Sequence, residues 1–346
     1  MKIKRQCERL PRPANAQESG IDLMGNGGSD HADIDLLTWC VSEEKIGTMS
    51  QCVGVARNLS RKEPVVKPFV PVHGIRKAFA PALFSRKESR PDIIISCGYR
   101  PEKMVLKMKR TFSGEPFTVH LQRPEIEGYD LVFVSNHDWT RELEARPNYE
   151  RMIGVPHRLR LNEVSKRRRA ARSLFSPDDR QLASVFVGGD NGAYIYDQKS
   201  VDNIKNAIDS LTSKDWRVLV STSRRSDRRT FDALMALSSP LVTVWDRREP
   251  NPYLDYVAAA DAFLIAKDSI TMPCEALLTG RPVYSLELTE VPGERLIKFD
   301  RFHRDLQETR KLTRRFDGGL ESYSYQPINE ALRIAEVIRS RVAKHS

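Results

Sequence analysis

From Ile34 onward the chain alternates short apolar runs with helix-length amphipathic segments. This alternation restricts the fold more than any other feature, because it is the pattern of βαβ units wound around a parallel sheet. Expected strands are Ile34–Cys40, Val65–Val72, Asp92–Cys97, Phe117–Leu121 and Tyr129–Val134, with helix-like stretches such as Glu102–Phe112 between them. A second series opens at Leu182–Val187 and continues through Arg217–Val220, Leu241–Trp245, Ala262–Ala266 and Pro282–Leu286. The 346 residues suffice for two cores at about 150 residues per domain. The sequence therefore predicts an α/β fold of two doubly wound, Rossmann-like domains in tandem, over residues 34–160 and 181–320. The stretch His157–Asp179 is too polar for a strand and reads as a connection with a charged helix, the link proper being residues 161–180. Residues 1–33 read as a basic, polar tail. In 321–346, most of the apolar positions Ile328, Ala331, Leu332, Ile334, Ala335, Ile338 and Val342 fall on one helical stripe, and this final helix is expected to pack back onto the first domain.

Composition narrows the function classes. The longest apolar runs are strand-sized, short of the ~20 residues a membrane-spanning helix needs. Five scattered cysteines without a Cys-x-x-Cys pair suggest a reducing compartment and no zinc site. The tail lacks the apolar core of a secretory signal, so a cytoplasmic location is expected. A formal charge of +10 implies an anionic partner: nucleic acid, a membrane surface or a phosphorylated ligand. Nucleic acid ranks low, because no zinc knuckle, aromatic RNP-like strand or recognition helix is present. A dehydrogenase ranks low as well, for want of the dinucleotide glycine pattern.

In open α/β sheets, ligands bind at the carboxyl ends of strands. In the second series, Val187 is followed by Gly188-Gly189-Asp190-Asn191-Gly192, which would let backbone N–H groups approach a phosphate. The strand after it ends in Ser221-Thr222-Ser223-Arg224-Arg225, three hydroxyls and two guanidiniums suited to phosphate. The strand Ala262–Ala266 runs through Lys267 into Asp268-Ser269-Ile270-Thr271-Met272, with Glu275 four residues beyond Thr271 and so on the same helical side. A carboxylate there would accept the hydroxyls of a ribose. Together the three loops read as a nucleoside diphosphate site. In the first series, His120, Glu44, His137 and Asp138 are candidates for a general base, Asp138 ranking first.

At these residues the sequence resembles a known family, the bacterial and plant proteins grouped with the mitochondrial fission factor named for its elongated-mitochondria phenotype. The resemblance rests on Val187-Gly188-Gly189, Ser221–Arg225, Asp268–Met272 with Glu275, Thr279-Gly280-Arg281-Pro282-Val283, Arg301-Phe302-His303 and Phe316-Asp317-Gly318. In the first half it adds Gly47 with Gln51, Phe117–Gln122, His137-Asp138 and Gly154-Val155-Pro156-His157-Arg158. Two departures are Lys267, where a small residue is expected, and Ser42–Ile46, which replaces an Asp-Gly type of turn.

The resemblance implies kinship with glycosyltransferases of the two-Rossmann (GT-B) class, in which the second domain holds a nucleotide sugar and the first presents the acceptor. It places Gly188, Gly189, Ser221, Thr222, Ser223, Arg224, Arg225, Asp268, Ser269, Thr271, Met272 and Glu275 on the nucleotide sugar, and Gly47, Gln51, His120 and Gln122 on the acceptor side. The nucleoside-diphosphate sugar is then a co-substrate, and neither another cofactor nor a metal is expected. The plant members are known as adaptors in organelle division. A non-enzymatic, membrane-associated adaptor is therefore the alternative, motivated by the basic stretches Lys166–Arg172 and Arg301–Arg315. For the transferase a cell-envelope or membrane-associated acceptor, such as a lipid-linked one at the cytoplasmic face, is expected, and for the adaptor an anionic membrane surface.

Overall fold

The structure is a computed structural model and describes residues 35–43, 46–69, 89–112 and 115–344. Within 35–344 two six-stranded, all-parallel sheets account for the two series of apolar runs.

The first sheet contains β1 (Thr38–Glu43), β2 (Val65–Phe69), β3 (Ile93–Cys97), β4 (Phe117–Leu121), β5 (Leu131–Ser135) and β6 (Tyr149–Met152) in the order β2-β1-β3-β4-β5-β6. Every residue of β1, β3 and β5 is buried, as expected of strands covered on both faces. One face carries Cys40, Ile93, Ile95, Val119 and Phe133, and the other Trp39, Val41, Ile94, Val132 and Val134. Helix α1 (Ile46–Leu59) covers the former and α2 (Glu102–Thr111) the latter.

The second sheet contains β7 (Leu182–Val187), β9 (Arg217–Thr222), β10 (Val242–Val244), β11 (Ala262–Ala266), β12 (Val283–Leu286) and β14 (Arg314–Arg315), ordered β10-β9-β7-β11-β12-β14. Its helices are α4 (Gln198–Thr212), α5 (Arg228–Met235), α6 (Tyr253–Ala259), α7 (Thr271–Leu277) and α8 (Glu294–Arg304). A two-stranded antiparallel pair, β8 (Tyr194–Ile195) with β13 (Thr289–Glu290), stands apart.

Several strand expectations need correction: β1 ends at Glu43 and not at Cys40, β5 is Leu131–Ser135, β10 is Val242–Val244, and two edge strands are additional. β1 starts at Thr38 because Leu37 gives its amide to the Asp92 carboxylate, 2.7 Å away, before the ladder begins. β6 is half charged (Glu150 and Arg151) and β14 is two exposed arginines, so neither edge strand has an apolar signature. Ile34 and residues 70–72 lie outside the described residues.

The link is a packed helix, α3 (Leu161–Phe175), with Val164 and Ala171 buried in the core around α6. Much of its positive charge is spent on that contact. Arg168 donates to the carbonyls of Ala258, Ala259 and Ala260 at 3.1, 3.3 and 2.8 Å and to Asp261 at 2.7 Å. Arg172 meets Asp261 at 2.5 Å, and Arg167 meets Asp255 at 2.9 Å. Arg281 adds donors to Val257, Ala258 and Ala260. Carbonyls at a helix C-terminus lack intrahelical partners, and guanidiniums satisfy them.

The final helix, α9 (Glu330–Val342), returns to the first half as expected. Ala331, Ile334, Ala335 and Ile338, spaced i, i+3, i+4, i+7, share a core with Cys52, Val55, Ala56 and Leu59 of α1. Arg339 closes the contact by donating to the carbonyls of Leu59 and Asn58.

Candidate functional site

Each sheet has one point where successive strands are added in opposite directions, between β1 and β3 in the first and between β7 and β11 in the second. Crevices open at the carboxyl ends of strands flanking such points.

In the second sheet, the loop after β7 and the loop after β11 meet on Asp268. Its side chain is fully buried, and its carboxylate accepts from the Gly189 amide (3.0 Å), the Tyr196 hydroxyl (2.6 Å) and Arg225 Nη2 (2.7 Å). Burial raises the Asp268 pKa, and these three donors oppose the rise. A Cβ on Gly188 would collide with the Asp268 carboxylate, and one on Gly189 with the Arg225 carbonyl. The glycines are thus required by loop-to-loop packing. Their amides are also engaged, Gly188's by the Tyr196 hydroxyl at 3.0 Å and Gly189's by Asp268, which differs from the expected phosphate cradle.

Arg225 likewise has an internal role, since it also donates to the Gly189 carbonyl at 2.6 Å. Arg224 beside it is exposed, and among the described residues no hydrogen bond or ion pair is assigned to its guanidinium. Thr222 accepts from Arg247 at 3.0 and 3.1 Å, Ser221 is buried at the end of β9, and Ser223 accepts from the Arg225 amide while keeping its own proton to donate. Ser269 caps α7 through the Met272 amide at 3.1 Å, and the Met272 side chain packs on the core. Thr271 is half-buried at the start of α7. Lys267 is paired with Glu287, 3.2 Å distant.

One turn into α7, Glu275 accepts from the Tyr253 hydroxyl at 2.6 Å. Burial pushes its pKa up to about 7, opposed by Tyr253 and by the positive field of Arg158. Arg158 ends the segment Gly154-Val155-Pro156-His157-Arg158, which is wedged between the halves. A Cβ on Gly54 of α1 would strike the His157 carbonyl, one on Gly154 would strike Cys274 Sγ, and His157 Nε2 lies 3.1 Å from the Cys274 carbonyl. The crevice acid of α7 therefore sits beside the seam with the first half.

At the first sheet's reversal point, Glu43 ends β1, is buried, and has Arg100 Nη1 at 3.6 Å; a Cβ on Gly98 after β3 would lie 3.7 Å from its carboxylate. Gln51 Oε1 is shared by Gln122 Nε2 (3.3 Å) and Cys97 Sγ (3.5 Å), and Gln122 has φ of 83°. Gly47, in α1, borders open space. The sequence reading missed Glu43 because it ended the strand at Cys40 and placed Glu43 in the turn Ser42–Ile46, whereas β1 extends through Glu43; the neighbouring Glu44 lies outside the described residues.

The other base candidates are held elsewhere. His120 is fully buried on β4, with Nδ1 2.9 Å from Ser96 Oγ, its ring against Tyr129, and burial pulling its pKa down to about 3. It is a core histidine. Asp138 bonds Lys298 of α8 at 2.5 Å, and His137, its pKa lowered to about 4 by burial, stands edge-on to Phe302. His137 and Asp138 thus fasten the carboxyl edge of the first sheet to α8. Among the described residues no group of three or more His, Cys, Asp or Glu side chains is placed to hold a metal ion, and no helix is long and apolar enough to cross a membrane.

Two parallel Rossmann-type sheets, each with one reversal point in its strand order, and a last helix returning to the first half define the GT-B class of fold. Solved structures agree. UDP-GlcNAc 2-epimerase from Methanocaldococcus jannaschii superposes with a TM-score of 0.52 at 12% identity, covering 88% of this chain and 99% of that one. A putative UDP-N-acetylglucosamine 2-epimerase from Listeria monocytogenes gives 0.50 at 11%, covering 90% and 96%. The chain belongs to the family described as Mitochondrial fission ELM1, whose model matches residues 46–342. Mitochondrial fission protein ELM1 of Arabidopsis thaliana is 27% identical over 281 residues, 73% of this chain and 64% of that protein, so the chain spans less than two thirds of that relative. A Rickettsia prowazekii protein, "Uncharacterized protein RP120", is 23% identical over 351 residues, covering 87% of this chain and 97% of that protein.

Proposed function

We propose that this chain binds a nucleoside-diphosphate sugar in the second sheet's crevice and transfers the sugar to a hydroxyl acceptor presented by the first half. The observation that carries the reading is Glu275: a half-buried carboxyl beside the reversal point of the sheet, held by Tyr253, four residues beyond a half-buried threonine. An ionised Glu275 would accept the ribose hydroxyls. Of the expected diphosphate set, the groups with donors to spare are the hydroxyls of Ser223, Ser269 and Thr271 and the guanidinium of Arg224. Asp268, Arg225, Gly188 and Gly189 fix the two loops from behind. Positive charge and oriented donors stabilise a leaving diphosphate because they act where negative charge develops. On geometry the acceptor's proton falls to Glu43, the buried acid at the reversal point of the first sheet, with Gln51 and Gln122 at the ends of neighbouring elements.

The test is to supply nucleotide sugars and measure release of nucleoside diphosphate. Release by the wild type, lowered at least 100-fold in Glu43→Gln with nucleotide affinity unchanged, supports this assignment. Release unaltered by Glu43→Gln would remove Glu43 from it.

A further inference from the structure

A second cleft, of about 390 Å³, opens where the segment after β5 faces the end of α8; Asn136, Trp139, Thr140, Arg301, Arg304 and Asp305 are among its walls. It contains none of the crevice residues assigned above to the nucleotide. Its charge is one-sided. The Asp305 carboxylate is already taken by Arg310 at 3.1 Å and by Asn136 at 3.3 Å. Among the described residues the ion pair of Arg304 is with Glu308, 3.9 Å away between two exposed side chains, a pair of little strength. Arg301 is exposed, and among the described residues no ion pair is assigned to it. Trp139 and Thr140 line the same cleft, and Trp139 Nε1 and Thr140 Oγ1 are buried with no hydrogen-bond partner, an arrangement that costs free energy until an acceptor arrives. Two guanidiniums in one cleft with an unsatisfied N–H and O–H suit an anion with several acceptor oxygens. A volume at the lower end of the range for small-molecule sites, about 300–1,000 Å³, has room for more than a bare ion.

We propose that this cleft binds the phosphate of an organic phosphate ester, with Arg301 and Arg304 pairing its charge and Trp139 and Thr140 donating to its oxygens. The cleft lies at the carboxyl edge of the first sheet, beside the Asp138–Lys298 bond. As the anchor of a phosphorylated acceptor it rests on the transferase reading, whereas as a phosphate-ester site it does not.

The experiment follows the Trp139 indole N–H by NMR while glycerol 1-phosphate is titrated into the full chain. In a parallel arm, vesicles of phosphatidylcholine with and without phosphatidic acid are sedimented with the protein. The expected result is a saturable shift of the Trp139 indole signal, with affinity lowered at least tenfold in Arg301→Ala/Arg304→Ala and unchanged in Lys166→Ala/Arg169→Ala, which removes as much charge from the exposed side of α3. Co-sedimentation that needs phosphatidic acid and is lost in the same arginine variant identifies a lipid as the source of the phosphate, and a shift with glycerol 1-phosphate alone identifies a soluble ester. An unmoved indole signal with no co-sedimentation, or equal losses in the two double variants, overturns the site. Nucleoside diphosphate affinity is measured on the same variants, so that failure of the cleft is distinguished from failure of the nucleotide reading.

Discussion

Glu275 and Gly188 show how single side chains set the properties of the crevice. With a folded pKa near 7 against an ordinary 4.5, Glu275 binds its proton more tightly in the native state than in the unfolded one. Its contribution to stability is therefore complete below about pH 4.5 and is lost as pH rises toward about 7. Nucleotide binding follows the opposite course, since only the ionised carboxylate accepts two ribose hydroxyls. The affinity ratio of wild type to Glu275→Gln should increase between pH 6 and 8, by up to about tenfold per unit below pH 7; a ratio constant across that range would separate Glu275 from the ligand. Gly188→Ala should destabilise by about 1–3 kcal/mol in denaturant titrations, because the added methyl displaces the buried Asp268 carboxylate. The glycine pair itself was legible in the sequence, but its reason was not: strand-end glycines look alike whether they admit a phosphate or a neighbouring carboxylate.

Among the elements, α3 separates charge that holds the fold from charge left to solvent. Arg168→Ala should cost about 1–3 kcal/mol, since it strips donors from the Ala258, Ala259 and Ala260 carbonyls, whereas Arg169→Ala, on the exposed side, should stay within about 0.5 kcal/mol. Thermal unfolding of the two variants side by side measures the difference. The run Lys166–Arg172 reads as uniformly basic because sequence cannot show which residues meet a helix end. The Arg301–Arg315 run divides similarly, with Arg310, Arg314 and Arg315 facing Asp305, Glu321 and Glu287. Interior strands such as β7 and β11 were legible to the residue because continuous burial demands continuous apolarity. The edge strands β6 and β14 were not, since an edge tolerates charge. The stripe of α9 was legible as well, being the one apolar face at the end of the chain.

In the molecule as a whole, two sheets built on one plan carry different groups at or after the carboxyl ends of their strands. The second contributes Glu275, Thr271, Ser223 and Arg224, while the first contributes Glu43, Gln51 and Gln122. The +10 charge does not gather at the crevice: Arg225, Arg168, Arg172 and Arg281 are bound within the fold. In the proposed sites, Arg224 at the crevice and Arg301 with Arg304 at the second cleft are the guanidiniums that would meet anions. A fold of this class is compatible with sugar transfer and with a scaffold that no longer catalyses, and nucleotide binding is where those two part. Calorimetric titration of the whole chain with UDP, GDP, ADP and CDP decides it most directly. We expect one of the four to bind at one site per chain and to bind at least tenfold more weakly to Glu275→Ala; absence of binding by all four, or binding undiminished in Glu275→Ala, would contradict a nucleotide crevice at the end of β11.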